Sequence, residues 1–186
     1  MNNSMSTLIT VIFGLMLADL FASVHRLIRN RRRIRWHWLP MAVAWYVLAM
    51  VLKNWWSLVG SQGGAALEGG WVFLFYGHLL LVLYLVVSAV LPDEIPVEGL
   101  DLKEFYFDTR VHFWGLLAAV NLILLLFALL RPLFYAGMSV NWMAVVSNAV
   151  MGAIILSLAF TRRCAYHASV VLVLVVLVMV ELAFKL

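Results

Sequence analysis

An aspartate at position 19 stands in the middle of an otherwise apolar run, and it is the residue of this chain best placed to do chemistry. A carboxyl at that depth in hydrocarbon can neither snorkel nor reach bulk water. It therefore either takes part in moving protons or cations, or is held protonated as a hydrogen-bonding group that fixes helix packing. Met16, Ala22, Ser23 and Arg26 share its helical face at three-, four- and seven-residue spacing. Ala22 and Ser23 are small enough to admit a neighbouring backbone.

Four further polar residues fall at related depths. With a rise of about 1.5 Å per residue, Lys53 and His78 lie roughly 10 Å below one face of the membrane, Asn121 and Asn148 roughly 14 Å, and Asp19 roughly 18 Å. If these faces converge, they form a polar pocket or wet path opening to the outer side. Each residue also has a plainer role. Lys53 can snorkel outward or lie over Trp56 as a cation–π pair. Asn148 shares a face with Ala144 and Gly152, a small-residue seam suited to interhelical contact, and Asn121 is a similar case. His78 fits a satisfied core histidine, and Glu181 a local pair with Lys185 four residues on.

Local signatures of enzymes are missing. The sequence has no H-E-x-x-H, C-x-x-C, G-x-S-x-G or P-loop, so a catalytic role is disfavoured, no cofactor is expected and no metal is assigned. Cys164 is the only cysteine, which excludes an intrachain disulfide. His25, His37, His112 and His167 fall at one rim, where paired histidines can ligate haem, but histidines near interfaces are common.

The elements that must position these residues are transmembrane helices. Hydrophobic residues make up 66% of the 186, charged residues only 12%, and mean hydropathy is +1.02. Soluble proteins average about 25% charged residues, so the bilayer must be the solvent for most of this chain. Six stretches reach spanning length: about 7–28, 37–60, 70–91, 111–130, 139–161 and 165–184. The expected fold is therefore all-α, a polytopic transmembrane bundle of about six spanning helices forming a single domain over 1–186. The N-terminus lacks the basic region of a signal peptide, so the first run reads as a retained helix. Residues 60–70 form a glycine-rich turn and 131–137 a proline-marked one. An inverted three-plus-three repeat finds no support above chance.

Loop charge orients the bundle. Ten lysines and arginines fall in the odd-numbered loops, six of them between Arg26 and Arg35, against three on the other side (Lys53, Arg131, Lys185). By the positive-inside rule the odd loops are cytoplasmic and both termini face outward. Arg29, Arg31, Arg32, Arg33 and Arg35, interleaved with tryptophans, suit anionic lipid headgroups as well as setting topology. The run is too short, and too close to the membrane, for nucleic acid. The third loop, 92–110, is acidic. Its Asp101 and Glu104 have the spacing of a capping box that opens a helix, and 93–108 can dock a cytoplasmic protein. A chain this small can line a pathway as a homo-oligomer.

The turn RNRRRIRWHWLP, the Trp55–Trp56 pair and the segment LPDEIPVEGLDLKEFYFDTRVHFWGLL resemble a group of small uncharacterised bacterial integral-membrane proteins. The resemblance implies a multi-pass protein of a bacterial cytoplasmic membrane and carries no activity. The leading expectation is a small channel, transporter or proton- or cation-conducting component centred on Asp19. The alternative is a non-catalytic scaffold or regulatory subunit that docks a cytoplasmic partner or anionic lipid through its charged loops.

Overall fold

The computed structural model describes residues 3–59, 70–134 and 139–185. The glycine-rich turn at 60–69 and residues 135–138 of the proline-marked turn lie outside the described residues. The architecture is all-helical, with six α-helices among the described residues: α1 (Asn3–Arg29), α2 (Trp38–Val59), α3 (Gly70–Ala89), α4 (Leu102–Phe134), α5 (Trp142–Phe160) and α6 (Cys164–Lys185). Four of them, α1, α4, α5 and α6, are long and apolar enough to cross a membrane. These four helices mark the chain as membrane-embedded.

The bundle is built around α2 and α4. α2 packs on α1 and α6, and α4 on α3 and α5; the two central helices also touch each other, and α1 closes against α3. α5 is peripheral and buries only Ile155, Leu158 and Ala159 fully. Much of the outer surface is apolar: Leu8, Val11, Leu15 and Phe21 of α1 and Leu172, Val173, Val176 and Leu177 of α6 are all exposed. An apolar exterior around an apolar core is stable only in hydrocarbon.

Helix ends follow from local chemistry. Pro40 sits in the first turn of α2, where its missing N–H has no intrahelical partner to lose. His37 Nδ1 accepts the Leu39 N–H at 3.3 Å. Asn141 caps α5 by accepting the Ala144 N–H at 3.1 Å. α4 differs most from the sequence expectation. It starts at Leu102 rather than near 111 and runs through Pro132 to Phe134, 33 residues in all. At about 1.5 Å per residue this is roughly 50 Å, longer than the ~30 Å hydrocarbon layer. Asp101 makes the early start possible, because its Oδ1 accepts the Lys103 N–H at 2.8 Å and the Glu104 N–H at 3.3 Å. Pro132 is tolerated because it lies in the last turn, where loss of one backbone donor ends the helix without breaking it.

The arginine-rich and acidic segments are tied together by an element absent from the sequence reading. β1 (Ile34–Arg35) and β2 (Leu100–Asp101) form a two-stranded parallel ladder, with Ile34 opposite Leu100 and Arg35 opposite Asp101. Two ion pairs reinforce it. Arg26 donates to the Asp93 carbonyl at 2.6 Å and to its carboxylate at 3.3 Å, and Arg35 lies 3.5 Å from Asp101. Leu27, Ile34, Leu39, Leu91 and Leu102, in and flanking these segments, are all buried. Their burial, not the largely exposed ion pairs, supplies most of the stabilisation, since surface pairs contribute ~1 kcal/mol at most.

Candidate functional site

Three helices bring polar side chains together toward one end of the bundle. Lys53 of α2 donates to the Glu181 carboxylate of α6 at 2.6 Å. The pair borders a cavity of about 110 Å³ whose lining includes Tyr46 and Asn54 of α2 and Asn121 of α4. Each asparagine satisfies its amide on its own helix: Asn54 Nδ2 donates to the Met50 carbonyl at 2.8 Å and Asn121 Nδ2 to the Leu117 carbonyl at 3.3 Å. That leaves both side-chain carbonyl oxygens available as acceptors. Gly152 of α5 faces Asn121; a Cβ built there would lie 3.9 Å from the Asn121 Cβ, an ordinary contact. The lysine is partly buried and the glutamate exposed, so the pair sits at the mouth of the cavity.

Of the five residues singled out as a polar core, this cavity gathers two, Lys53 and Asn121. Asp19 is half-buried on α1 and does not line it, because the buried face of α1 runs through Phe13, Met16, Leu20, Ser23 and Leu27 and leaves Asp19 at its edge. His78 of α3 is exposed, with Nδ1–H donating to the Leu74 carbonyl at 2.7 Å. Asn148 of α5 is half-buried and donates to the Ala144 carbonyl of its own helix at 2.8 Å. One local expectation is replaced: Lys53 is held by the Glu181 carboxylate of another helix rather than lying over Trp56. The expected pairing of Glu181 with Lys185 falls on a side chain outside the described residues.

The most buried polar cluster lies at the opposite end and includes a residue read from sequence only as a rim histidine. His167 of α6 is fully buried, with Tyr106 and Trp114 of α4 around it. The directions of its hydrogen bonds follow from the partners. The Thr161 carbonyl can only accept, so His167 Nε2 carries the proton and donates at 2.9 Å. His167 Nδ1 is then an acceptor and takes the Tyr106 hydroxyl proton at 2.7 Å. The Tyr106 oxygen in turn accepts from Trp114 Nε1–H at 3.2 Å. Phe107 packs edge-on against the imidazole, ring centroids 5.1 Å apart. Both imidazole nitrogens are occupied, so this histidine is a packing element rather than a haem ligand. No signal in the sequence pointed to it, since Tyr106 and His167 are 61 residues apart.

Asp101 has a shifted titration with a clear cause. The Glu104 N–H, aided by the Lys103 N–H, Arg35 and His37, holds its carboxyl below the ordinary carboxylate value against a smaller opposing effect of desolvation. Because folding lowers this pKa, the stabilisation is present above the ordinary value and is lost as pH falls through the lowered one. A spin label at Lys103 should therefore stay immobilised from pH 8 down to about pH 5 and loosen only below the ordinary carboxylate range of about 4. Loosening between pH 6 and 7 would show that another group holds this helix start.

The five arginines expected at the headgroup level divide into two sets. Arg35 is paired with Asp101, whereas Arg29, Arg31, Arg32 and Arg33 border an open cavity with His25 and Asn30. Among the described residues, no group of three histidine, cysteine, aspartate or glutamate side chains could hold a metal ion. Compared with protein-family models, curated proteins and solved structures, the chain matches none, so the bacterial cytoplasmic membrane is implied only by the resemblance of its arginine and acidic segments.

Proposed function

We propose that this protein is a small six-span membrane component that moves protons or a small cation, with Lys53 and Glu181 as its working titratable pair. Both termini would face outward and the arginine-rich loops the cytoplasm. The observation that carries the reading is the meeting of Lys53, Glu181, Asn54 and Asn121 from three helices around one small, otherwise largely apolar cavity. Ionisable residues inside a membrane bundle mark ion and proton pathways. A lysine–glutamate pair can exchange its shared charge when a cation or proton arrives, and the asparagine carbonyls supply neutral oxygen ligands beside it. Asp19, at the edge of the α1 face, is a second titratable group in this reading rather than its centre.

Flux in proteoliposomes tests it. Glu181→Gln should lower proton or cation flux by at least about tenfold, because it removes the carboxylate that the proposed exchange uses. Asn148→Ala, which removes only a bond within one helix, should leave flux unchanged. Full flux in Glu181→Gln would remove the pair from the mechanism, and loss in Asp19→Asn alone would return the centre to α1.

A second reading is favoured by the ladder and its ion pairs. The β1–β2 tie fixes the acidic segment against the arginine turn, leaving Glu94, Glu98, Glu104 and Asp108 exposed on an ordered platform. Such a surface suits docking of a basic cytoplasmic partner. Charge reversal of Glu94 and Glu98 would abolish partner capture while flux stayed unchanged.

A further inference from the structure

We propose that the arginine cavity after α1 is a binding site for the phosphate of an anionic phospholipid headgroup, separate from the Lys53–Glu181 cavity. It measures about 750 Å³ and is bordered by His25, Arg29, Asn30 and the successive arginines 31, 32 and 33. That is several times the volume of the cavity at Lys53, large enough for a headgroup with its glycerol rather than a bare ion.

The pairing pattern is what distinguishes this site from a general positive rim. The acidic loop reaches Arg26 through Asp93 and Arg35 through Asp101. Among the described residues it makes no ion pair with Arg29, Arg31, Arg32 or Arg33, and no carboxylate borders the cavity. Four arginines thus line one concavity without a carboxylate beside them, while the flanking two each have a carboxylate within ion-pair distance. The turn is set by its own backbone, with the Asn30 N–H donating to the Arg26 carbonyl at 3.1 Å and the Arg33 N–H to the Asn30 carbonyl at 2.9 Å. Guanidinium forks match phosphate oxygens in bidentate geometry, which ammonium groups cannot do.

Depth selects a lipid as the source of the phosphate. Exposed Trp36 and Trp38 follow the turn directly, and Trp38 stacks on His37 with ring centroids 6.1 Å apart. Exposed tryptophans beside a helix end sit at the headgroup level. Ile28 adds an apolar patch to the cavity wall, suited to the start of an acyl chain.

The test is lipid retention by full-length protein in nanodiscs, read by native mass spectrometry. Phosphatidylglycerol or cardiolipin should be retained over phosphatidylcholine, and the triple variant Arg31→Gln, Arg32→Gln, Arg33→Gln should lose at least about fivefold of that preference. Topology should survive, because seven basic residues still oppose three. Arg35→Gln removes a cation already paired and should change the preference by less than about twofold. Undiminished preference in the triple variant would overturn the site. An equal loss in Arg35→Gln would also overturn it, reducing the effect to net charge. Displacement of the lipid by millimolar glycerol phosphate would overturn the lipid assignment in favour of a free phosphate site. A triple variant that unfolds is replaced by the corresponding triple lysine variant, which keeps the charge, loses the bidentate geometry and should show a smaller loss of the same sign.

Discussion

Tyr106→Phe is expected to lower the unfolding free energy by about 2–6 kcal/mol, although it removes a single heavy atom. The hydroxyl is both donor and acceptor in one buried chain: it takes the Trp114 indole proton and gives its own to His167 Nδ1. Deleting it leaves two buried groups without partners at once, each costing about 1–3 kcal/mol. Water cannot easily replace it, since Trp114 and His167 are fully buried. Tyr166, next to His167 on α6, supplies the control. Its hydroxyl meets Ser157 Oγ at 2.6 Å but is exposed, so Tyr166→Phe should cost under about 1 kcal/mol. Thermal unfolding in detergent compares the two. Equal shifts would mean that the buried hydrogen-bond chain contributes nothing beyond a surface contact.

Gly99→Ala should disconnect the two charged segments from each other, at a cost of about 2–4 kcal/mol. Gly99 has φ of 101°, a conformation open to glycine and strained for any residue with a side chain. Space is also lacking. A Cβ on Gly99 would lie 2.6 Å from the Arg33 carbonyl oxygen, and backbone cannot rotate out of the way as a side chain can. Relief requires moving β2 away from β1, which also separates Arg35 from Asp101. Trypsin should then cut within Arg31–Arg35 much faster than in the native protein. Gly115→Ala is the matched control, since a Cβ there meets nothing within 4 Å and alanine favours the helix by up to about 1 kcal/mol. Native-like protection of the arginine turn in Gly99→Ala would show that the ladder does not depend on this close approach.

Much of this architecture is legible in the chain itself. Runs of about 20 apolar residues force helices, because backbone groups in hydrocarbon must bond within their own segment. Asp101 and Glu104 announce a helix start, although reading α4 from about 111 placed its beginning too late by treating the charged stretch as loop. A helix that projects beyond the bilayer needs no apolar pattern in its first turns, so hydropathy alone misses them. The β1–β2 ladder was invisible for a different reason: it spans two residues per strand, 66 positions apart, and brings Gly99 against the Arg33 backbone.

The candidate site divides along the same line. Depth is a one-dimensional property, the count of residues from a helix end times a fixed rise, and so Asp19, Lys53, His78, Asn121 and Asn148 could be ranked by depth from sequence. Which of them meet depends on the rotation of each helix about its own axis, set by side-chain packing between helices. That rotation joins Lys53 to Glu181 rather than to Asp19, and leaves His78 exposed. It also brings Tyr106 to His167, where the two ends of the hydrogen bond come from helices far apart in the chain. The amino-acid sequence by itself determined that this is an all-helical, membrane-embedded chain with an arginine-rich turn beside an acidic segment. Only the tertiary structure decided which charges neutralise each other and which stay free, because pairing is set by inter-helix geometry that local composition does not encode.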